Sequence, residues 1–197
     1  MPLSRPSPEF RRPGLLVVDV QRFFFDPRSP AFMRGCSGVL ERVRALVGDF
    51  RSRGLPVLFT CYASALRGPM ASRWRKACPR GSPWVQPILR PAPGEPVFYK
   101  SRYSAFRGTR ALAWLRKRRV RDLVVAGVKT HLCVESTVRD AFDAGFRVIV
   151  ARDGCAAPDP GMHRGSLRNM AHGFADILPT KDLVSMPEKF HNQRKDA

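Results

Sequence analysis

The sequence predicts a single α/β domain: a doubly wound, mostly parallel six-stranded sheet with helices on both faces, three layers in all. Three observations carry that expectation. Short unbroken apolar runs, of the kind found in strands covered on both faces, recur along the chain. Stretches with apolar residues at helical spacing lie between them, and strictly alternating strand and helix implies a parallel sheet. At 197 residues, 44% of them apolar, the chain is long enough to bury one core without disulfides or metals.

The elements follow in order. Leu15–Val20 is a first strand carrying one acid, Asp19. Val39, Leu40, Val43, Leu46, Val47 and Phe50 fall on one helical face, Gly54 stops that helix, and Leu55–Thr60 is a second strand. Residues 61–96 are rich in Gly and Pro, show no regular period, and read as one long loop of the kind that usually carries function. Pro96–Lys100 is a short strand, Thr109–Arg119 a helix with Leu112 and Leu115 inward, and Arg121–Gly127 the next strand. A helix from Cys133 turns Val134, Thr137, Val138, Ala141 and Phe142 to one side and ends at Gly145. Phe146–Ala151, a helix over 163–172 and a last strand over 175–179 complete the domain, which spans 14–185. Residues 1–13, dense in Pro and Arg, and 186–197, polar and aperiodic, are expected to be loosely held tails.

No window reaches the roughly 18 to 20 apolar residues of a membrane span, and the first residues lack the apolar stretch of a signal peptide. Five cysteines with no Cys-x-x-Cys pair argue against a disulfide framework or a zinc knuckle. A cytoplasmic protein with free thiols is the expectation. The net charge of +19 would suit a polyanion, with Arg110, Arg116, Lys117, Arg118, Arg119 and Arg121 on one face. The arginines are nevertheless scattered along the whole chain, without interleaved aromatics or a nucleic-acid motif, which favours a solvated basic surface over a nucleic-acid partner. No Gly-x-Gly-x-x-Gly or Walker loop supports a nucleotide cofactor, and none is expected.

Chemistry concentrates at three strand ends. Asp19, Lys100 and Cys133 each lie at or just beyond the carboxyl end of a predicted strand, and in a parallel sheet those ends point the same way. An acid buried in an apolar strand needs a cation, and Lys100 is the one that these motifs offer. Cys133 falls where a strand gives way to a helix, where unpaired N–H groups and the helix dipole favour negative charge, so it is expected to be poised as a thiolate. The roles that follow are general base for Asp19, thiolate stabiliser for Lys100 and nucleophile for Cys133. His131, His163 and His172 share no ligand spacing and read as surface or capping residues. Cys36, Cys61, Cys78 and Cys155 read as structural, with Cys61 at a strand end placed to line a pocket.

These strings, the Asp19-Val-Gln21 strand end, Tyr99-Lys100 with the Ser-Arg-Tyr that follows, and Gly127-Val-Lys-Thr-His-Leu-Cys133, closely resemble the isochorismatase-like cysteine hydrolases. That family includes nicotinamidases and N-carbamoylsarcosine amidases. The resemblance runs over about residues 14–184 and joins three motifs in the family's order and spacing. It implies an Asp19, Lys100, Cys133 triad, a thioester intermediate and release of ammonia or an amine from a small amide or N-carbamoyl substrate. It also implies a cis peptide at Val128–Lys129, an oxyanion hole from the backbone N–H groups of Lys129 and Cys133, and a dimer or larger homo-oligomer. Phe24 matches an aromatic of the family's pocket; Val128 and Trp84 are the other wall residues expected.

Two departures refine the reading. Where related nicotinamidases carry a metal-binding Asp-x-His after the second strand, this chain has Tyr62 and Ser64, poor zinc ligands, so a metal-independent enzyme is expected. Members that cleave the vinyl ether of isochorismate often lack the cysteine that this chain keeps, which favours acyl transfer over ether hydrolysis. Lys129 stands at a position that is often small, and its side chain meets either an anionic substrate or solvent. Outside the enzyme class, the alternative is a basic binding protein built on the same scaffold.

Overall fold

The computed structural model describes residues 9–65, 67–74 and 77–188. Six strands, β1 (Pro13–Val18), β2 (Val57–Tyr62), β3 (Val97–Lys100), β4 (Asp122–Val128), β5 (Arg147–Ala156) and β6 (Asp176–Leu178), form one sheet. Its order is β3-β2-β1-β4-β5-β6, and every neighbouring pair is parallel. Between and around the strands lie α1 (Arg22–Phe25), α2 (Ser37–Ser52), α3 (Pro69–Arg73), α4 (Ala111–Lys117), α5 (Glu135–Asp143), α6 (Pro160–Gly173) and α7 (Thr180–Leu183). No helix among the described residues is long and apolar enough to cross a membrane.

Alternation along each strand sorts the core into two layers. Leu15 and Val17 of β1, with Val124 and Ala126 of β4, pack under Val43, Leu46, Val47 and Phe50 of α2. Leu16 and Val18, with Leu123 and Val125, face the other way onto Leu115 of α4, Val138 and Ala141 of α5 and Met170 of α6. The central strands are therefore apolar without a break because both faces are covered. Each fully buried Leu, Val or Phe contributes about 1.5–3 kcal/mol, so either layer alone outweighs any single polar contact.

The chain winds from β1 outward to β2 and β3, then returns to the other side of β1 as β4. Between β1 and β4 the winding reverses, and a crevice opens at the carboxyl ends of the strands. The two strands approach very closely there. Gly127 pairs with Val18 and has φ of 128°, a conformation open to glycine, and a Cβ added to it would lie 2.0 Å from the Val18 carbonyl oxygen.

The stretch 61–96, expected as one loop, holds α3 and a 3-10 turn at Pro83–Val85, and the helix expected from Cys133 begins at Glu135 after a turn over Thr130–Val134. Three further regions differ from the sequence expectation. β5 does not stop at Ala151: its register with β4 jumps from Val125↔Val150 to Gly127↔Cys155, an irregularity that carries the strand on to Ala156. Within it, Asp153 Oδ1 accepts from Thr180 N at 2.7 Å and Thr180 Oγ1 at 2.8 Å, tying the bulge to α7. α6 begins three residues earlier than its apolar period suggests, because Asp159 caps it by accepting from Met162 N at 2.8 Å and Pro160 opens it. The described parts of the expected tails are not loose. Phe10 is fully buried against Phe50, its N–H donates to the Pro187 carbonyl at 2.7 Å, and Met186 joins the same core layer. Residues 1–8 and 189–197 lie outside the described residues.

Because the Cβ of any other residue at 127 would overlap backbone, Gly127→Ala is expected to destabilise the fold by about 3 kcal/mol or more, read as a lowered denaturation midpoint or loss of soluble protein.

Candidate active site

Asp19 is the first residue beyond β1, and its φ of 53° puts it in the left-handed region, which Asp tolerates better than most side chains. Its N–H donates to the Thr60 carbonyl at 3.0 Å, continuing the sheet. Thr60 Oγ1 in turn donates to Asp19 Oδ1 at 3.0 Å, and the Lys100 ammonium donates to Asp19 Oδ2 at 2.6 Å. Lys100 ends β3 opposite Tyr62, so β2 separates it from β1. Two interstrand spacings are about 9.5 Å, a gap that the long Lys side chain crosses. A further Lys100 donor goes to the Arg102 carbonyl at 3.2 Å.

Cys133 reaches the same point from β4. The Val128–Lys129 peptide is cis, and residues Thr130–Val134 form a wide π-helical turn that leads into α5. The turn is held by Leu132 N–H and Val134 N–H to the Lys129 carbonyl at 3.0 and 3.2 Å, and by Thr130 Oγ1 against His163 Nδ1 at 2.8 Å. Cys133 Sγ lies near enough to the Asp19 carboxylate and the Lys100 ammonium for both charges to act on the thiol. The three groups expected to converge do meet, all of them buried: Asp19 is 0%, Lys100 2% and Cys133 6% exposed.

The protonation state departs from the expectation of a resting thiolate. Burial pushes the Cys133 thiol up to about 12, with the Lys100 ammonium pulling it down and the Asp19 charge pushing it further up. Burial pulls Lys100 down, but Asp19 and Cys133 together outweigh it and raise the lysine above its ordinary value. Burial thus tilts Cys133 toward the neutral thiol, while its two neighbours tilt Lys100 toward the ammonium.

Above the sulfur opens a cavity of about 490 Å³, within the range of small-molecule sites. Phe24, Tyr62, Trp74, Tyr103, Met33 and Lys129 are among its walls. Trp74 Nε1 donates to the Tyr103 hydroxyl at 3.0 Å, which braces one wall. Trp84 does not line this cavity: it is half-buried in the apolar cluster beneath, and its carbonyl accepts from Gln21 Nε2 at 3.2 Å. Val128 is fully buried in that cluster, behind the wall rather than on it. Cys61 is also sealed in the core, where burial raises its thiol, and does not reach the cavity. Of the expected wall residues the cavity is lined by Phe24 but not by Trp84 or Val128, and Cys61 lies in the core like the structural cysteine it was read as.

Gln21 has a part that its motif did not disclose. Its Oε1 accepts from Tyr62 N at 2.5 Å and its Nε2 donates to the Tyr62 carbonyl at 3.0 Å, pinning the end of β2 to the end of β1 beside Asp19. A buried Gln two residues after a buried Asp was the available signal. Tyr62 and Ser64 stand where a metal-binding pair would be, and both are otherwise engaged. The Tyr62 ring stacks on Phe23, and Ser64 Oγ accepts from Cys78 N at 2.6 Å. Among the described residues no three His, Cys, Asp or Glu side chains are grouped to hold a metal ion, so this donor set does not fit one. His163 is occupied by Thr130, and His172 is exposed.

A buried ion pair and a thiol at the switch point of a doubly wound sheet, under an open aromatic cavity, mark a small-molecule site at the place where α/β proteins bind their ligands. The isochorismatase-domain model matches residues 13–182, and the chain belongs to the isochorismatase family. It is 30% identical over 185 residues to N-carbamoylsarcosine amidase of an Arthrobacter species, covering 88% of this chain and 70% of that protein. To nicotinamidase 3 of Arabidopsis thaliana it is 32% identical over 185 residues, covering 90% and 89%. A solved structure of an isochorismatase family protein from Desulfovibrio vulgaris superposes with a TM-score of 0.78 at 32% identity, covering 88% of this chain and 96% of that one.

Two outcomes are expected from this geometry. Since the raised thiol ionises only as pH rises, alkylation of Cys133 by iodoacetamide near neutral pH should be about a hundredfold slower than that of an exposed thiol of pKa about 8.5, and should still be climbing at pH ~9 when followed by peptide mapping. Thr60→Val should strip Asp19 Oδ1 of its donor, destabilising the fold by about 1–3 kcal/mol in denaturant titration.

Proposed function

We propose that this chain is a metal-independent cysteine amidohydrolase that cleaves the C–N bond of a small amide or N-carbamoyl compound through a thioester on Cys133. The observation that carries the reading is the grouping of one buried thiol with a buried acid–ammonium pair at the floor of an open cavity. Amidase relatives from two lineages, each covered over most of its length, support the same chemistry.

The thiol begins protonated, so attack and deprotonation go together: sulfur bonds to the substrate carbonyl carbon as the S–H proton moves to the Asp19 carboxylate. Lys100 stays cationic and offsets the negative charge that gathers beside it. The carbonyl oxygen, now an oxyanion, takes the backbone N–H groups of Lys129 and Cys133, a contact worth about 3 kcal/mol per donor in other hydrolases. Collapse breaks the C–N bond, and the proton held by Asp19 leaves on the amine or ammonia. Water then attacks the thioester and gives a proton to Asp19; collapse breaks the C–S bond as that proton passes to sulfur, which frees the acid and restores the thiol and the Asp19 carboxylate.

Incubation with an amide panel is expected to release ammonia and to leave an acyl adduct on Cys133 detectable by mass spectrometry. Cys133→Ala should remove the adduct and lower kcat by about a thousandfold or more. Undiminished turnover in that variant would exclude sulfur as the nucleophile.

A further inference from the structure

A second cavity lies beyond the carboxyl ends of β2 and β3 and shares no lining residue with the one above Cys133. It measures about 550 Å³, room for a small molecule, and Ser64, Arg80, Tyr99, Ser101, Arg102 and Arg107 are among its walls. No Asp or Glu lines it. Arg107 is answered from outside by the Asp140 carboxylate of α5, at 2.9 and 3.1 Å. Arg80 and Arg102 are exposed, and among the described residues neither meets a carboxylate.

The chemistry of these walls selects among anions. Arg80 lies over the Tyr99 ring, 5.4 Å from its centroid, a contact that steadies the guanidinium and leaves its N–H edge open. Each guanidinium is a planar fork that pairs two donors with two oxygens. Two forks match a phosphate group, which offers three oxygens and close to two negative charges, better than a carboxylate, which offers two oxygens and one charge. Ser64 Oγ accepts from Cys78 N at 2.6 Å and keeps its own O–H to donate. A flat basic face would suit a nucleic-acid backbone; a concavity with two forks and a ring suits one phosphate on a compact body.

The strap that leaves β3 joins this cavity to the buried ion pair. Lys100 is among the cavity's walls, and its ammonium pairs with Asp19. The Arg102 carbonyl accepts from that ammonium at 3.2 Å. Tyr103, the next residue, lines the cavity above Cys133 and takes Trp74 Nε1 at 3.0 Å. Successive residues of one strap thus face two cavities, and whatever restrains Arg102 restrains the carbonyl that helps to hold Lys100.

We infer that the second cavity binds a small organic phosphate through Arg80 and Arg102, and that its occupancy alters the reactivity of Cys133 through the strap 100–103. Two sites that bias one strap are coupled in both directions.

Calorimetry on the full chain, in phosphate-free buffer at about 0.15 M salt, compares glycerol 3-phosphate, ribose 5-phosphate and AMP with glycerol, ribose, adenosine and inorganic phosphate. At least one ester is expected to bind with Kd below about 1 mM, and about tenfold or more tightly than both its dephosphorylated partner and the free ion. Arg80→Gln and Arg102→Gln should each weaken it about tenfold, whereas Arg118→Gln, which removes a cation stacked on Trp114 outside the cavity, should leave it unchanged. If either variant melts early, the Lys replacement is read instead; it keeps the charge, loses the fork and should still weaken binding. No preference for any ester, a preference untouched by loss of both forks, or binding of a single-stranded DNA of about 20 nucleotides without any small ester would overturn the site. Saturation with the bound ester should change the rate of Cys133 alkylation by iodoacetamide about twofold or more, a response that Arg102→Gln should remove. Binding that leaves this rate unchanged would overturn the coupling. Neither measurement uses turnover, so both stand apart from the amidohydrolase reading.

Discussion

The Asp19–Lys100 ion pair is the constraint around which the molecule is arranged. Both side chains are wholly out of water, and each ion so buried costs several kcal/mol unless its partner and its remaining hydrogen bonds are in place. Here they are: one carboxylate oxygen takes Lys100, the other takes Thr60, and the ammonium also reaches a backbone carbonyl. An apolar pair of similar volume would serve stability as well or better. The charges are therefore best understood through what they do to the thiol beside them.

Meeting that constraint requires three strands to end at defined heights. The left-handed residue at Asp19 turns the carboxylate off β1, Gly127 lets β4 come close enough to bring the Cys133 turn alongside, and Gln21 fixes β2, whose register with β3 sets Lys100. Each of these contacts holds the spacing of the three groups. The upward pull on the thiol follows from the same burial: a site sealed enough to make one ammonium effective also disfavours a thiolate.

Most of the sheet was legible because both its faces are covered, leaving Leu15–Val18 and Leu123–Val128 as apolar runs that periodicity can find. Asp19 was legible as a contradiction, an acid where the chain has no solvent, and Lys100 as its answer. What escaped was set by contacts between distant segments. Trp74 and Trp84 stand in the same aperiodic stretch with nothing local to say which one turns inward; the first is held by Tyr103, the second by the cluster around Gln21. The bulge of β5 depends on Thr180, and the burial of Phe10 depends on residues 186–187, neither visible within a local window. The strand-to-helix turn gave the position of Cys133 but not the pull of burial on its thiol, since a sequence reports dipoles more readily than desolvation.

The chain's large positive charge divides into two kinds. Most of it is solvated arginine, such as Arg118 over the Trp114 ring at 3.6 Å or Arg107 paired with Asp140, where water and salt screen each charge within about 10 Å. Such charges raise the local concentration of anions and discriminate little among them. Lys129 differs in its setting, half-buried at the cavity wall with its ammonium 5.4 Å from the ring centroids of both Phe24 and Trp74, where less water screens its charge than at the open surface.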